Sequence, residues 1–223
     1  LQYLDTYDKQ RLLYGDWTAN PEVERPFSFA FDRQKHVGKA QRRPNDYHYF
    51  SIDFNVEPFV GICSHIWNDA QGPHYHTFTE TSLKVASIEG MAKWMREVCP
   101  MRSLIRITGD RGGMSQSIGM QGPVKLFVEL RKQLGIAEAQ IKVPANPRHL
   151  VSREETNRVF TLHPDRVIDT TCTGLIADHL TVEWDGENIV KADRTKKEQQ
   201  ADLIDTDRYT VNTYLRSWLT LNR

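Results

Sequence analysis

At 223 residues, 26% charged and 39% hydrophobic, the chain has the balance of a globular domain and not of a disordered or low-complexity polypeptide. No apolar run approaches the roughly 18 residues of a bilayer-spanning helix, so no membrane role is expected. Lys and Arg number 29, as do Asp and Glu, so no global field announces a polyanion partner and the placement of charge has to carry the argument.

The chain starts at Leu1 with no Met and no charged-then-apolar leader, which reads as a piece of a longer polypeptide with a further N-terminal domain. Cys63, Cys99 and Cys172 are odd in number and include no CxxC pair. Free thiols in a reducing, intracellular setting are therefore expected, without a disulfide framework or zinc ribbon. Strand and helix signals run on without a linker, so residues 47–223 are expected to form one domain, entered through an N-terminal segment, residues 1–46, that packs on it.

Tyr47 to Asn55 alternates, with Phe50, Ile52 and Phe54 on one side and Tyr49, Ser51, Asp53 and Asn55 on a more polar side. Phe59 to Trp67 and His74 to Leu83 follow as strands across short turns at Glu57-Pro58 and Asp69 to Pro73, an antiparallel meander. Ser87 is an N-cap for a helix whose apolar positions, Ile88, Met91, Ala92, Met95 and Val98, recur until Pro100. Ser103 to Thr108 reads as a buried strand, Pro123 to Gly135 as a second helix and Ala139 to Val143 as another strand, which together carry a βαβ signature.

Arg153 to Phe160 and Cys172 to His179 have helical spacing, and Thr181 to Val190 reads as a hairpin around Asp185-Gly186. The last helix is expected from about Glu198 to Leu219, with an apolar stripe of Ala201, Ile204, Val211, Leu215, Trp218 and Leu219. Asp205 lies near the edge of that stripe and Asp202 about 60° beyond it.

Asp53 on the first strand, Asp110 after the buried strand, and Asp202 with Asp205 on the last helix are the candidate catalytic and metal-ligating residues. Hydrolysis of a phosphodiester requires an activated water and a neutralised leaving oxygen, and two hard cations roughly 4 Å apart supply both. Such cations take oxygen ligands, and carboxylates crowded together repel one another until a cation binds. Gly109-Asp110-Arg111-Gly112-Gly113 permits a close backbone approach at the carboxyl edge of a sheet. Two basic stretches flank the acids: Arg33, Lys35, His36, Lys39, Arg42 and Arg43 before the first strand, and Lys191, Arg194, Lys196 and Lys197 before Asp202. Of these, Arg42, Arg43, Lys191, Arg194, Lys196 and Lys197 are the candidate DNA contacts.

In this order the motifs resemble a known family. Arg11-Leu12-Leu13 followed by Tyr14-Gly15-Asp16-Trp17 resembles the segment joining ATPase to nuclease in phage terminase large subunits. Ser51-Ile52-Asp53-Phe54-Asn55-Val56-x-Pro58, Thr108-Gly109-Asp110 and Asp202-x-x-Asp205-x-x-Arg208-Tyr209 resemble the three acidic motifs of the terminase nuclease, and the resemblance spans almost the whole chain. It implies an α/β fold of RNase H-like type, a mixed sheet of antiparallel and parallel strands flanked by helices, as in RuvC. It also implies an endonuclease that cuts concatemeric double-stranded DNA with two Mg²⁺ or Mn²⁺ ions. Asp53, Asp110 and the Asp202/Asp205 pair would be its acids.

The same resemblance implies a portal protein and a small terminase subunit as partners of the full-length protein, working in the host cytoplasm during virion assembly. No GxxxxGK[ST] occurs, so the family's ATPase half is absent from this chain. A Holliday junction resolvase-like nuclease and a catalytically silent DNA-docking or motor-assembly module are the alternatives. Other residues are read as structural. His74 and His76 share a strand face without a third ligand nearby in sequence, Glu57 and Glu80 are expected to face solvent, and no G-x-S-x-G elbow surrounds Ser115 or Ser117.

Overall fold

A computed structural model describes residues 25–54, 58–114, 125–191, 193, 195–196 and 200–222. The Tyr14 to Trp17 motif, Asn55 to Glu57, Ser115, Ser117, Pro123, Arg194 and Lys197 lie outside the described residues. The mixed sheet expected from the sequence is present. It has six strands: β1 (Val37–Gly38), β2 (His48–Asp53), β3 (Phe59–Asp69), β4 (Gly72–Leu83), β5 (Ile105–Gly109) and β6 (Arg166–Asp169). Their order is β1-β6-β4-β3-β2-β5, with β3 antiparallel to both neighbours and the remaining pairs parallel.

The alternation of β2 decides the layers. Phe50 and Ile52 enter a core with Met91 and Met95 of α2 (Ile88–Val98) and Phe127 and Leu130 of α3 (Leu126–Leu134). Helix α2 starts where Ser87 Oγ accepts the Gly90 N–H at 3.0 Å. Helix α3 ends at Gly135, whose φ of 63° lets its N–H reach both the Arg131 and Lys132 carbonyls. A short helix, α1 (Arg33–His36), precedes β1.

The opposite sheet face carries Val60, Ile62 and Tyr75. It is covered by α4 (His149–Leu162), α5 (Thr173–Thr181) and a C-terminal run of α6 (Asp202–Thr210), a π-helical turn (Val211–Leu215) and α7 (Arg216–Leu221). Among the described residues no helix is long and apolar enough to cross a membrane. Residues 25–46 join this body, since Phe27 is buried with Trp184 and Ile204, and β1 pairs with β6.

Three expectations need correction. The Ala139 to Val143 strand is instead a 3-10 turn (Glu138–Gln140) followed by a single parallel bridge, Ile107 to Ile141, because Pro144 ends the extended run after too few residues to build a ladder. The Thr181 to Val190 hairpin is reduced to one bridge, Trp184 to Ile189, since Thr181 closes α5. The last helix is not half-exposed: every residue from Asp202 to Thr210 is buried, the charged ones included.

Burying charge inside a helix requires partners, and Asp207 has them. Its Oδ1 accepts from the Tyr75 hydroxyl at 2.5 Å and from Arg166 Nη2 at 2.8 Å, and the two ionic side chains are 1% and 0% exposed. The Arg166 guanidinium also stacks 3.9 Å from the Tyr75 ring centroid. Burial alone pushes the Asp207 carboxyl up, but Arg166, His179 and the Tyr75 hydroxyl together outweigh it and hold the group well below the usual carboxylate range. Replacing Arg166 by Met strands that carboxylate, and we expect unfolding in urea to report a loss of about 3–5 kcal/mol. The joint Arg166→Met, Asp207→Leu variant should recover most of it. A single-variant loss below about 1 kcal/mol would show that the pair does not anchor α6.

Candidate active site

The four candidate aspartates meet at the carboxyl end of β2 and β5 and the start of α6. Asp53 is the last residue of β2 and 6% exposed, and its pairing with Val60 places it on the face covered by α6. Asp110 follows β5. Its N–H donates to the Ile52 carbonyl at 3.2 Å, and its Oδ1 accepts from Asn146 Nδ2 at 2.5 Å. Gly109 permits this turn, because a Cβ there would stand 2.2 Å from the Ile52 carbonyl oxygen. At Gly112 a Cβ would stand 2.5 Å from Asp110 Oδ2. The close approach expected of this glycine-rich turn is therefore made to the protein's own β2 backbone and carboxylate.

Asp202 and Asp205 sit in the first turn of α6, 3% and 5% exposed. That turn is capped from another element: Asp178 Oδ2 in α5 accepts the Leu203 and Ile204 N–H groups, each at 3.0 Å. Burial raises the Asp178 carboxyl to about 7, even with those two bonds. Asp205 is different. Lys191 Nζ pairs with its Oδ2 and Arg208 Nη1 with its Oδ1. Burial pushes its carboxyl up, but Arg208 and then Lys191 hold it below the ordinary aspartate value.

Asp53 moves the other way. Burial raises its pKa first, and Asp205, Asp110 and Asp202 raise it further, with Lys191 opposing them. The four acids therefore share one electrostatic site. The Tyr209 hydroxyl belongs to it too, raised by burial and by Asp205, Asp53 and Asp110. Oxygen-only donors with repulsion concentrated at Asp53 fit a hard divalent cation. A cleft of about 410 Å³ opens beside Asp202, between Val60, Glu80 and Asp178.

The basic residues divide. Lys191 joins the acids, whereas Lys196 stands exposed beside Asp193, and Arg42 and Arg43 stack over Phe78 and Trp67. Arg43 N–H donates to His65, five residues along β3 from the partner of Asp53, roughly 17 Å at the rise of a strand. His36 is buried, its Nδ1 accepting the Asp32 N–H, so it leaves the basic surface altogether.

Sequence reading missed Asp178, Asn146 and the pairing of Lys191 with Asp205, because each acts across a tertiary contact that leaves no periodic trace. It also placed Glu80 in solvent. Glu80 instead caps α5, accepting the Gly174 and Leu175 N–H groups at 2.7 and 2.8 Å. His163 and His179 are buried structural residues; the latter's Nδ1 lies 2.8 Å from Ser28 Oγ.

His74 and His76 acquire the third group that the sequence did not display. Their ligand atoms and those of Asp165 all lie within 4.8 Å of one another. The hydrogen bonds show how the trio is used. The Gln41 N–H donates to His76 Nδ1 at 3.0 Å, which leaves the proton on Nε2 to reach Asp165 Oδ2 at 2.7 Å. His74 lies between Asp165 and Asp69, at 2.5 and 2.9 Å, and stacks on Trp67 with centroids 4.4 Å apart. Both its ring nitrogens face carboxylates, which favours the protonated ring.

The chain has the fold of the terminase nuclease, an RNase H-like domain with carboxylates gathered at one sheet edge. It resembles the large terminase of a thermophilic bacteriophage at 16% identity and a TM-score of 0.64, over 96% of this chain and 50% of that one. It resembles the P22 large terminase nuclease domain at 14% identity and a TM-score of 0.56, over 81% of this chain and 88% of that one. The HK97 bacteriophage large terminase aligns at 10% identity and a TM-score of 0.50, over 82% of this chain and 43% of that one. This chain thus spans about half the length of the thermophilic phage's protein. No protein-family model and no curated protein sequence matches it.

Two pH dependences follow. The Asp53 pKa is raised above its unfolded value of 3.8, so its contribution to stability is fully present below that value and is lost as pH rises through the raised value. In chelator at pH 8, Asp53→Asn should raise Tm by at least the roughly 2–4 °C that 1 kcal/mol produces in a chain of this size. The gain should vanish at pH 4, and an equal gain at both pH values would refute the repulsion. Burial works to lower the His74 pKa, but its bonds to Asp165 and Asp69 win and raise it. Its stabilisation is complete below pH 6.5 and fades as pH rises through the raised value. Urea midpoints should therefore fall more for His74→Gln at pH 6 than at pH 9.

Proposed function

We propose that this chain is the nuclease domain of a viral DNA-packaging terminase large subunit, a metal-dependent endonuclease that cuts concatemeric double-stranded DNA. The observation that carries the reading is the convergence of Asp53, Asp110, Asp202 and Asp205, three separate motifs, on one electrostatic site at the sheet edge of a terminase-type fold. Asp53, Asp110 and Asp202 would hold two Mg²⁺ or Mn²⁺ ions. Asp205, both of whose oxygens already face cations, would stay tied to Arg208 and reach an ion only once Lys191 has left it.

When bound, such ions supply a water nucleophile and neutralise the leaving oxygen. The protein's part is positional. The β2 backbone holds Asp53, Asn146 turns Asp110 into the site, and the Asp178 cap sets the first turn of α6. Asn146 donates to the Asp110 oxygen, which leaves that carboxylate its Oδ2 for a cation. Double-stranded DNA would be bound through phosphate contacts, with Lys191 standing beside the acids. Binding would be weakly sequence-selective and fall with salt. A portal protein and a small terminase subunit would be partners of the full-length protein, in the host cytoplasm during virion assembly.

A plasmid-nicking assay with Mg²⁺, Mn²⁺ and chelator tests the reading. Asp53→Asn, Asp110→Asn and Asp202→Asn should each lower cutting by more than the roughly 10- to 100-fold typical of losing an outer partner of a metal site. Asp205→Asn should fall within that range. Full cutting in chelator, or undiminished cutting in all four variants, would overturn it. Preference for four-way junctions over linear duplex would favour the resolvase alternative instead.

A further inference from the structure

Asp205 is flanked by two cations that are held very differently. Arg208 is built in: its side chain is 2% exposed, its Nε donates to Ser152 Oγ at 2.8 Å, and its guanidinium stands 5.7 Å from the Phe27 ring centroid. Lys191 is 29% exposed and reaches Asp205 from the surface segment after the Trp184 to Ile189 bridge, where the Val190 N–H is tied to the Glu183 carbonyl. Its flexible four-carbon stem ends in a compact charge that rotates freely, unlike the planar fork of Arg208. Lys191 also acts on Asp53 against the three carboxylates that crowd it.

We propose that Lys191 is a resident counter-cation of the acidic site, one that a divalent ion must displace and that then pairs with DNA phosphate at the mouth of the site. The inference rests on the metal-dependent reading above and deepens it. With the ammonium in place, the site has less negative charge to offer an incoming ion, so intrinsic metal affinity is lowered. Once displaced, the ammonium stays tethered through residue 190 and its charge is available to a polyanion. DNA that captures Lys191 therefore removes the competitor, and metal and DNA bind with positive coupling that must be reciprocal. The lysine would restrain cutting in the absence of DNA by keeping the site underloaded.

The test measures Mn²⁺ binding directly, from the loss of the free-ion electron paramagnetic resonance signal, in wild type, Lys191→Met, Lys191→Arg and Asp53→Asn, with and without a short duplex. Lys191→Met should bind Mn²⁺ at least about tenfold more tightly without DNA, well within what a unit charge a few ångströms away can impose. Lys191→Arg should stay near wild type. The duplex should tighten Mn²⁺ binding in wild type and leave Lys191→Met unchanged. Equal or weaker affinity in Lys191→Met would overturn the proposal while leaving the metal reading intact. Wild-type binding that Asp53→Asn does not weaken, or no binding at all, would instead overturn the metal reading. Because Lys191 is partly exposed, the Met variant is expected to fold, and a wild-type-like urea midpoint checks this.

Discussion

The whole arrangement hangs on the buried ion pair between Arg166 in β6 and Asp207 in α6. A helix buried all round has no amphipathic face to orient it, so hydrophobic burial alone leaves its rotation about its own axis poorly specified. A charge pair with a hydrogen-bonding tyrosine specifies that rotation, because every other orientation leaves an ion stranded in the core. At 100° per residue Asp207 lies about 200° from Asp205. Fixing Asp207 toward β4 and β6 thereby turns Asp205 and Asp202 toward β2 and β5. The site is placed by an interaction on the far side of the helix.

The same helix explains why the chain's zero net charge was uninformative. Many charges stand on the surface, but the ones that shape the fold are matched within it: Arg166 to Asp207, Arg208 and Lys191 to Asp205, and His74 to Asp165. Each match uses a cation to hold a carboxylate ionised in a place where burial favours its neutral form. Asp53 and Asp178 go the other way: burial and neighbouring carboxylates raise both, and at Asp53 Lys191 opposes three such neighbours only in part. A carboxylate kept under repulsion by its neighbours is what distinguishes a site built to receive a cation from one built to be stable without it.

Thermodynamic cost and placement go together here. Helix α6 begins at Ala201 with φ of 52°, a left-handed conformation that a non-glycine residue adopts only under constraint. Asp178 caps the turn that follows. Further on, Thr210 Oγ1 donates back to the Thr206 carbonyl just before the π-helical turn, which widens the helix at Val211–Leu215. Both irregularities lie at the ends of the segment that carries Asp202, Asp205 and Asp207, the first beside the Asp178 cap and the second where Thr213 Oγ1 meets Thr108 Oγ1 of β5 at 2.7 Å.

What the sequence determined by itself was local and periodic. The alternation in β2 assigned Asp53 to one sheet face, Ser87 and Gly135 marked helix ends, and the order of the three acidic motifs carried the family resemblance that implied the fold. These are legible because strand and helix periods act over a few residues and leave a repeating pattern. Strands β1 and β6 escaped notice because two and four residues are too few to show a period. The Asp202/Asp205 ambiguity was also beyond the sequence, since two acids one turn apart look alike until their surroundings differ. Only the tertiary structure brought Lys191 to Asp205, Asp178 to the α6 terminus and Asn146 to Asp110. Those contacts join residues up to 36 positions apart. Through-space electrostatics and burial, which have no sequence period, decide them.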